Sequence, residues 1–199
     1  MKKNVFAPVF TIVFFFTLWA LAMDEAAAAK LPEKLVRLHV LAASDSASDQ
    51  SDKLAVRDAV LAELSPALQD CRSRAEAASC IQALLPEVES AAQNTLRAIG
   101  STESVTVTLS EEAYPVRVYD TFALPADRYM SLRVAIGEGA GHNWWCVVFP
   151  PLCLAAAEEE GDDAWAVFSP DEQRLITAEG RVLRLRALEW WEKLQKLLG

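Results

Sequence analysis

The 199-residue sequence predicts an α+β fold: a mainly antiparallel sheet with packed helices, preceded by an N-terminal signal or transmembrane helix. Three observations carry that expectation. An apolar run stands behind two lysines at the very start. Stretches with apolar residues three and four apart fill much of the first half. Stretches of alternating apolar and polar side chains, joined by short turns, follow them.

The start reads as an export signal. Met1-Lys2-Lys3-Asn4 is a short positive segment, and no residue from Val5 to Met23 is charged. Phe6, Phe10, Phe14, Phe15, Phe16 and Trp19 make that run strongly apolar. Small residues at Ala20-Leu21-Ala22, and again from Ala26 to Ala29, suit peptidase cleavage. The run is also about as long as a bilayer-spanning helix, so a cleaved and a tethered chain are both open. A core helix would not sit behind two lysines, apolar on every side. The expected division is 1–29 signal peptide or membrane anchor, 30–180 exported domain and 181–199 C-terminal amphipathic helix.

The elements of the exported part follow in order. Leu35 to Leu41 alternates as a strand, with Val36, Leu38 and Val40 on one face. Ala43 to Asp49 is a polar turn rich in capping residues. It leads into a helix over roughly Gln50 to Leu64, with Leu54, Val56, Val60, Leu61 and Leu64 as its stripe and Pro66 as its end. A second helix is expected from about Arg74 to Leu84. A third starts near Pro86, which suits a first helical turn, and stops at Gly100. Val105 to Leu109 alternates cleanly, and Val116 to Tyr119 and Tyr129 to Ile136 read as further strands. Trp144 to Phe149 is a last strand, closed by Pro150-Pro151. A helix from Arg181 carries Leu183, Ala187, Trp190, Leu194, Leu197 and Leu198 along one side.

Charge narrows the function classes. There are 19 basic and 28 acidic side chains, a net −9. An acidic chain lacks the lysine and arginine excess on which phosphate recognition runs, so nucleic acid is not an expected partner. The two ends are net basic, with Lys2-Lys3 at the front and Arg181, Arg184, Arg186, Lys193 and Lys196 in the tail, where they would favour an anionic membrane surface. Docking of the tail on its own sheet explains it equally well. Two histidines put most zinc-hydrolase sets out of reach. Gly137-x-Gly139-x-Gly141 lacks the spacing of a dinucleotide loop and reads as a turn needing positive φ. No metal or cofactor is expected.

Catalytic groupings are weak. His39 with Asp45, Asp49 and Asp52 is the one cluster that invites acid–base chemistry. The aspartates stand where a helix begins, however, and capping its free N–H groups is the plainer role. No G-x-S-x-G is present. The expected reading is a non-enzyme without catalytic residues. Cys71, Cys80, Cys146 and Cys153 are an even set, and export makes disulfides the default. Three pairings exist, and the local one, Cys71 with Cys80 and Cys146 with Cys153, is the first expectation. Zinc ligation and plain buried thiols remain alternatives. Trp144 and Trp145 are adjacent in a strand and point to opposite faces, so one can serve as a surface anchor.

Two stretches together resemble the stage II sporulation protein R family. One runs from Leu38-His39-Val40-Leu41-Ala42-Ala43-Ser44-Asp45 through Asp49-Gln50 to Val56-Arg57-Asp58. The other is Ile136-Gly137-Glu138-Gly139 with Gly141 and Asn143-Trp144-Trp145-Cys146, ending Pro150-Pro151-Leu152-Cys153. The stretch from Tyr114-Pro115 to Tyr129 is similar as well. The departures are Ala43, where the family usually has Asn, the added Cys71 and Cys80, and the part after Cys153. The resemblance implies a protein made in the forespore and exported into the space between the forespore and mother-cell membranes, free or tethered. It implies a partner there, a membrane-embedded aspartic protease of the mother cell, which then processes the precursor of a mother-cell sigma factor. The concentration of unusual residues in the two stretches makes Ser44, Asp45, Asp49, Asn143, Trp144 and Trp145 the expected partner-binding residues. The rival readings are an exported hydrolase using His39 with Asp45 or Asp49, and an envelope-associated adhesion module.

Overall fold

A computed structural model describes residues 23–119, 121–152, 165–177 and parts of 185–197. Residues 1–22 of the expected signal or anchor (1–29), Cys153, the acidic loop at 158–163 and most of the tail lie outside the described residues. Among the described residues no helix is long and apolar enough to cross a membrane. The chain divides into two compact units.

The larger unit comprises Pro32–Ala113 and Arg128–Val167. Its elements are β1 (Val36–Leu41), α1 (Ala47–Leu68), α2 (Arg74–Ala83), α3 (Leu85–Ala98), β2 (Val105–Tyr114), β5 (Asp127–Ile136) and β6 (Asn143–Phe149). The four strands lie in the order β2-β5-β1-β6. The class is α+β, but the sheet is mixed rather than mainly antiparallel. β1 pairs antiparallel with β6, Leu41 opposite Asn143, and parallel with β5, Leu38 opposite Leu132. Periodicity says nothing about strand direction. The parallel pair arises because α1, α2, α3 and β2 all intervene, ample chain for a crossover.

One face of the sheet is the core. Val36, Leu38 and Val40 of β1 meet Leu132, Val134 and Ile136 of β5, and Cys146 and Val148 of β6. Val56, Val60 and Leu64 of α1, Ile81 of α2 and Leu96 of α3 close over them. Each such side chain contributes about 1.5–3 kcal/mol by leaving water.

α1 is longer than expected at both ends. Ser46, not an aspartate, is the N-cap and accepts a hydrogen bond from Asp49 N. Pro66 lies inside the last turns instead of ending the helix. A proline there costs one interior hydrogen bond where few remain to lose. The buried stripe is Lys53, Val56, Val60, Leu64 and Leu68, and the expected Leu54 is exposed. α2 is capped by Ser73, which accepts from Glu76 N. α3 carries its proline in the first turn, and Gly100 follows with φ 82°. Cys146 is disulfide-bonded, but the expected Cys71–Cys80 disulfide is not formed: both are free thiols, with their sulfurs 3.6 Å apart.

The smaller unit comprises Met1–Leu31, Tyr114–Asp127 and Phe168–Gly199. Here β3 (Arg117–Val118) and β4 (Ala123–Leu124) form a short hairpin, and Tyr119 N donates to Phe122 O at 2.8 Å. A further helix, α4 (Pro170–Thr177), was not expected. Its eight residues offer only Leu175 and Ile176 as a buried stripe. Its start is a capping box: Glu172 reaches back to Ser169 N at 2.7 Å while Ser169 Oγ accepts from Glu172 N.

Candidate functional site: a loop rim and a buried histidine

The antiparallel register of β1 and β6 brings the two family-like stretches to one end of the sheet. β1 leaves the sheet at Leu41 where β6 enters at Asn143. Gly141 N donates to Ala42 O at 2.9 Å, which ties the second loop to the first. The three glycines of that loop have different reasons. Gly137 and Gly139 have φ of 54° and 63°, the left-handed region expected from the sequence. Gly141 does not. It is glycine for room, because a Cβ there would stand 2.2 Å from Ser44 O.

Asp45 fastens the rim. Its Oδ1 accepts from His142 N at 2.6 Å and faces His142 Nδ1 at 2.5 Å. The His142 side-chain bond holds the Asp45 carboxyl below its ordinary value, and the backbone bond adds to this. Asp49 accepts from the Ser44 hydroxyl. Gln50 Nε2 donates to Ser44 O at 2.9 Å. Lys53 is buried on α1, where its Nζ donates to Gln50 Oε1 at 2.6 Å and to His142 O at 3.0 Å. Burial pushes its ammonium below the ordinary value. The helix thus clamps both loops.

Trp144 lies on this rim and is 37% exposed. The Arg57 guanidinium carbon stands 4.4 Å from its ring centroid, and Arg57 Nη2 also pairs with Asp58 at 2.7 Å. A cation over the ring holds an exposed tryptophan in one orientation. Asn143 is exposed beside it.

Trp145 points to the opposite face of the sheet. Its ring stacks on His39 with centroids 3.6 Å apart and planes 13° from parallel. His39 Nδ1 bonds Glu112 Oε1 at 2.8 Å, and Glu112 Oε2 accepts from Ser131 Oγ at 2.9 Å. Asn143 also hydrogen-bonds the His39 side chain. Burial is the main influence on His39 and lowers its pKa from 6.5; Glu112 opposes this, and Arg133 adds to the lowering.

The structure therefore separates what acid–base chemistry needed together. His39 is engaged with Glu112, Asp45 with His142, and Asp49 with Ser44. The His39–Asp45 or His39–Asp49 pair of the rival hydrolase reading is not formed, because β1 carries His39 on one face of the sheet, while Asp45 lies in the turn beyond its end and Asp49 in the first turn of α1. Asp45 does not cap α1 either. Ser131 is fully buried and gives its hydroxyl to Glu112. Among the described residues no group of three His, Cys, Asp or Glu could hold a metal ion.

Of the six expected binding residues, Ser44, Asp45, Asp49 and Trp144 gather at the rim, Asn143 stands at its edge with its side chain on His39, and Trp145 lies on the opposite face. Glu112, Ser131, Lys53 and Arg57 were not expected as site residues. Lys53 falls three positions before Val56 on the helical stripe, a position that shows its place on the buried side of α1 but not its bond to His142 O. Glu112 carries no local signal.

A family model described as stage II sporulation protein R matches residues 32–159. A curated relative, stage II sporulation protein R of Bacillus subtilis (strain 168), is 36% identical over 141 residues. The match covers 67% of this chain and 63% of the relative, so the chain spans under two thirds of that protein's length. No solved structure matches the chain.

Proposed function

We propose a function from one premise: the chain belongs to the stage II sporulation protein R family, as the family model and the curated relative show. That membership supports a role in sporulation and is consistent with a protein that is not an enzyme. The proposed role is an exported signal that acts between the forespore and mother-cell membranes. There it binds a membrane-embedded aspartic protease of the mother cell and activates it. The protease then removes the pro-sequence of a mother-cell sigma factor.

One observation carries the surface. Two family-like stretches, far apart in sequence, meet at one rim and leave Trp144, Asn143 and Asp45 exposed on it. An exposed tryptophan with a fixed ring is a common interface anchor. Binding favours the active protease by population shift, since a ligand displaces an equilibrium toward the state it binds better. The basic signal and tail suit contact with an anionic membrane beside that partner. The pairing of Cys146 with Cys153 belongs to the same proposal.

Reconstitution tests it. Co-expression of this chain, the protease and the precursor in a heterologous host should give processing that depends on this chain and on its export signal within residues 1–29. Processing without the chain, or none with it, would overturn the reading.

A further inference from the structure

Cys71 and Cys80 lie outside the rim and the histidine network, and the proposed function does not use them. Cys71 sits just after α1, buried at the edge of the core. Cys80 sits on α2, packed against the same core but partly open to solvent. Their sulfurs are 3.6 Å apart, and both are free thiols. The turn between them is pinned, so this approach is built in. Arg72 N donates to Glu76 Oε2 at 2.7 Å, and Ser73 Oγ accepts from Glu76 N at 3.3 Å.

The two thiols are unequal. Burial pushes Cys71 up to about 11, with the Cys80 contact and the nearby Glu76 and Asp70 carboxylates adding to it. A thiol held protonated is a poor first attacker. Cys80 is the more accessible of the two.

We propose that Cys71 and Cys80 are a disulfide-forming site with a fixed order of attack, Cys80 first and Cys71 second. The oxidant is an external disulfide. Cys80 loses its proton to water and its thiolate attacks one sulfur of that disulfide. A mixed disulfide forms on Cys80, and the first external thiolate leaves and takes up a proton. Cys71 then loses its proton and attacks Cys80 Sγ. The Cys71–Cys80 bond forms, and the second external thiolate leaves and is protonated. Two electrons pass to the external disulfide, which ends as two thiols. The product ties the end of α1 to α2 and constrains the unfolded chain across a short loop.

The test uses the full chain and oxidised glutathione. Alkylation and peptide mapping should show both thiols lost together in a Cys71–Cys80 link, and Tm should rise by about 5–10 °C. Cys71→Ser should stop at a stable glutathione adduct on Cys80. Cys80→Ser should leave Cys71 alkylatable on unfolding and free of glutathione over the same time. The wild-type mapping stands whether or not either variant folds. Two thiols still alkylatable in excess oxidant would overturn the proposal. So would an adduct that forms first on Cys71, or a link from either cysteine to Cys146 or Cys153.

Discussion

Trp144 and Trp145 are neighbours in one strand and do opposite work. Trp144 lies at the rim, where Arg57 steadies its exposed ring. Trp145 covers His39 on the other face and closes a network with Glu112 and Ser131. The pleat alone produces this split, since successive side chains leave a strand on opposite sides. It teaches that a conspicuous sequence pair need not be one site. Trp145 is spent on holding the sheet, and Trp144 remains available to a partner.

The largest expected effect on stability is on the Trp145 side. Trp145→Ala removes the stacked partner of a buried imidazole and should lower unfolding free energy by about 2–3 kcal/mol, read by urea denaturation. A loss as small as that of Trp144→Ala would erase the distinction. Next comes Gly141→Ala, which drives a methyl against the Ser44 carbonyl. It should cost about 1–3 kcal/mol and misplace the rim, so Tm and precursor processing should fall together.

A smaller effect sharpens the comparison through pH. His39 titrates below its ordinary 6.5 because it is buried. The unfolded chain therefore takes up a proton at this residue before the folded one does. The His39 contribution is fully present above pH 6.5 and is lost as pH falls through 6.5 toward the folded value. Urea midpoints measured across that range should fall with pH, and His39→Phe should flatten the fall. Asp45 is different: its carboxyl is lowered by exposed contacts with His142, so its contribution declines only in strong acid, below 3.8. The smallest stability effect belongs to Trp144→Ala, at most about 1 kcal/mol for an exposed cation–π contact.

Much of this was legible in the sequence, and for identifiable reasons. The alternation of Val36, Leu38 and Val40 marks the core face of β1, and Pro86 marks a helix start, because local periodicity and the chemistry of helix ends act over a few residues. The opposite directions of Trp144 and Trp145 were legible for the same reason. The His39–Glu112 pair was not. Its partners are 73 residues apart and meet only through strand order and register. Lys53 was passed over because a lysine on a helical stripe reads as solvent-facing until a carbonyl, here His142 O, is seen to receive it. The parallel pairing of β1 with β5 was invisible because alternation is the same in either direction. Asp45 shows the limit of local reading most clearly: a residue typed as a cap is in fact a tie to a loop 97 residues away.

The central claim is that the rim, and not the histidine network, faces the partner. Processing of the precursor by the reconstituted protease, with secreted levels matched, tests it most directly in Trp144→Ala and Asp45→Ala. Each variant should lose at least tenfold in processing, the factor that about 1.4 kcal/mol of binding supplies, with Tm nearly unchanged in Trp144→Ala. Full processing in both variants would contradict it.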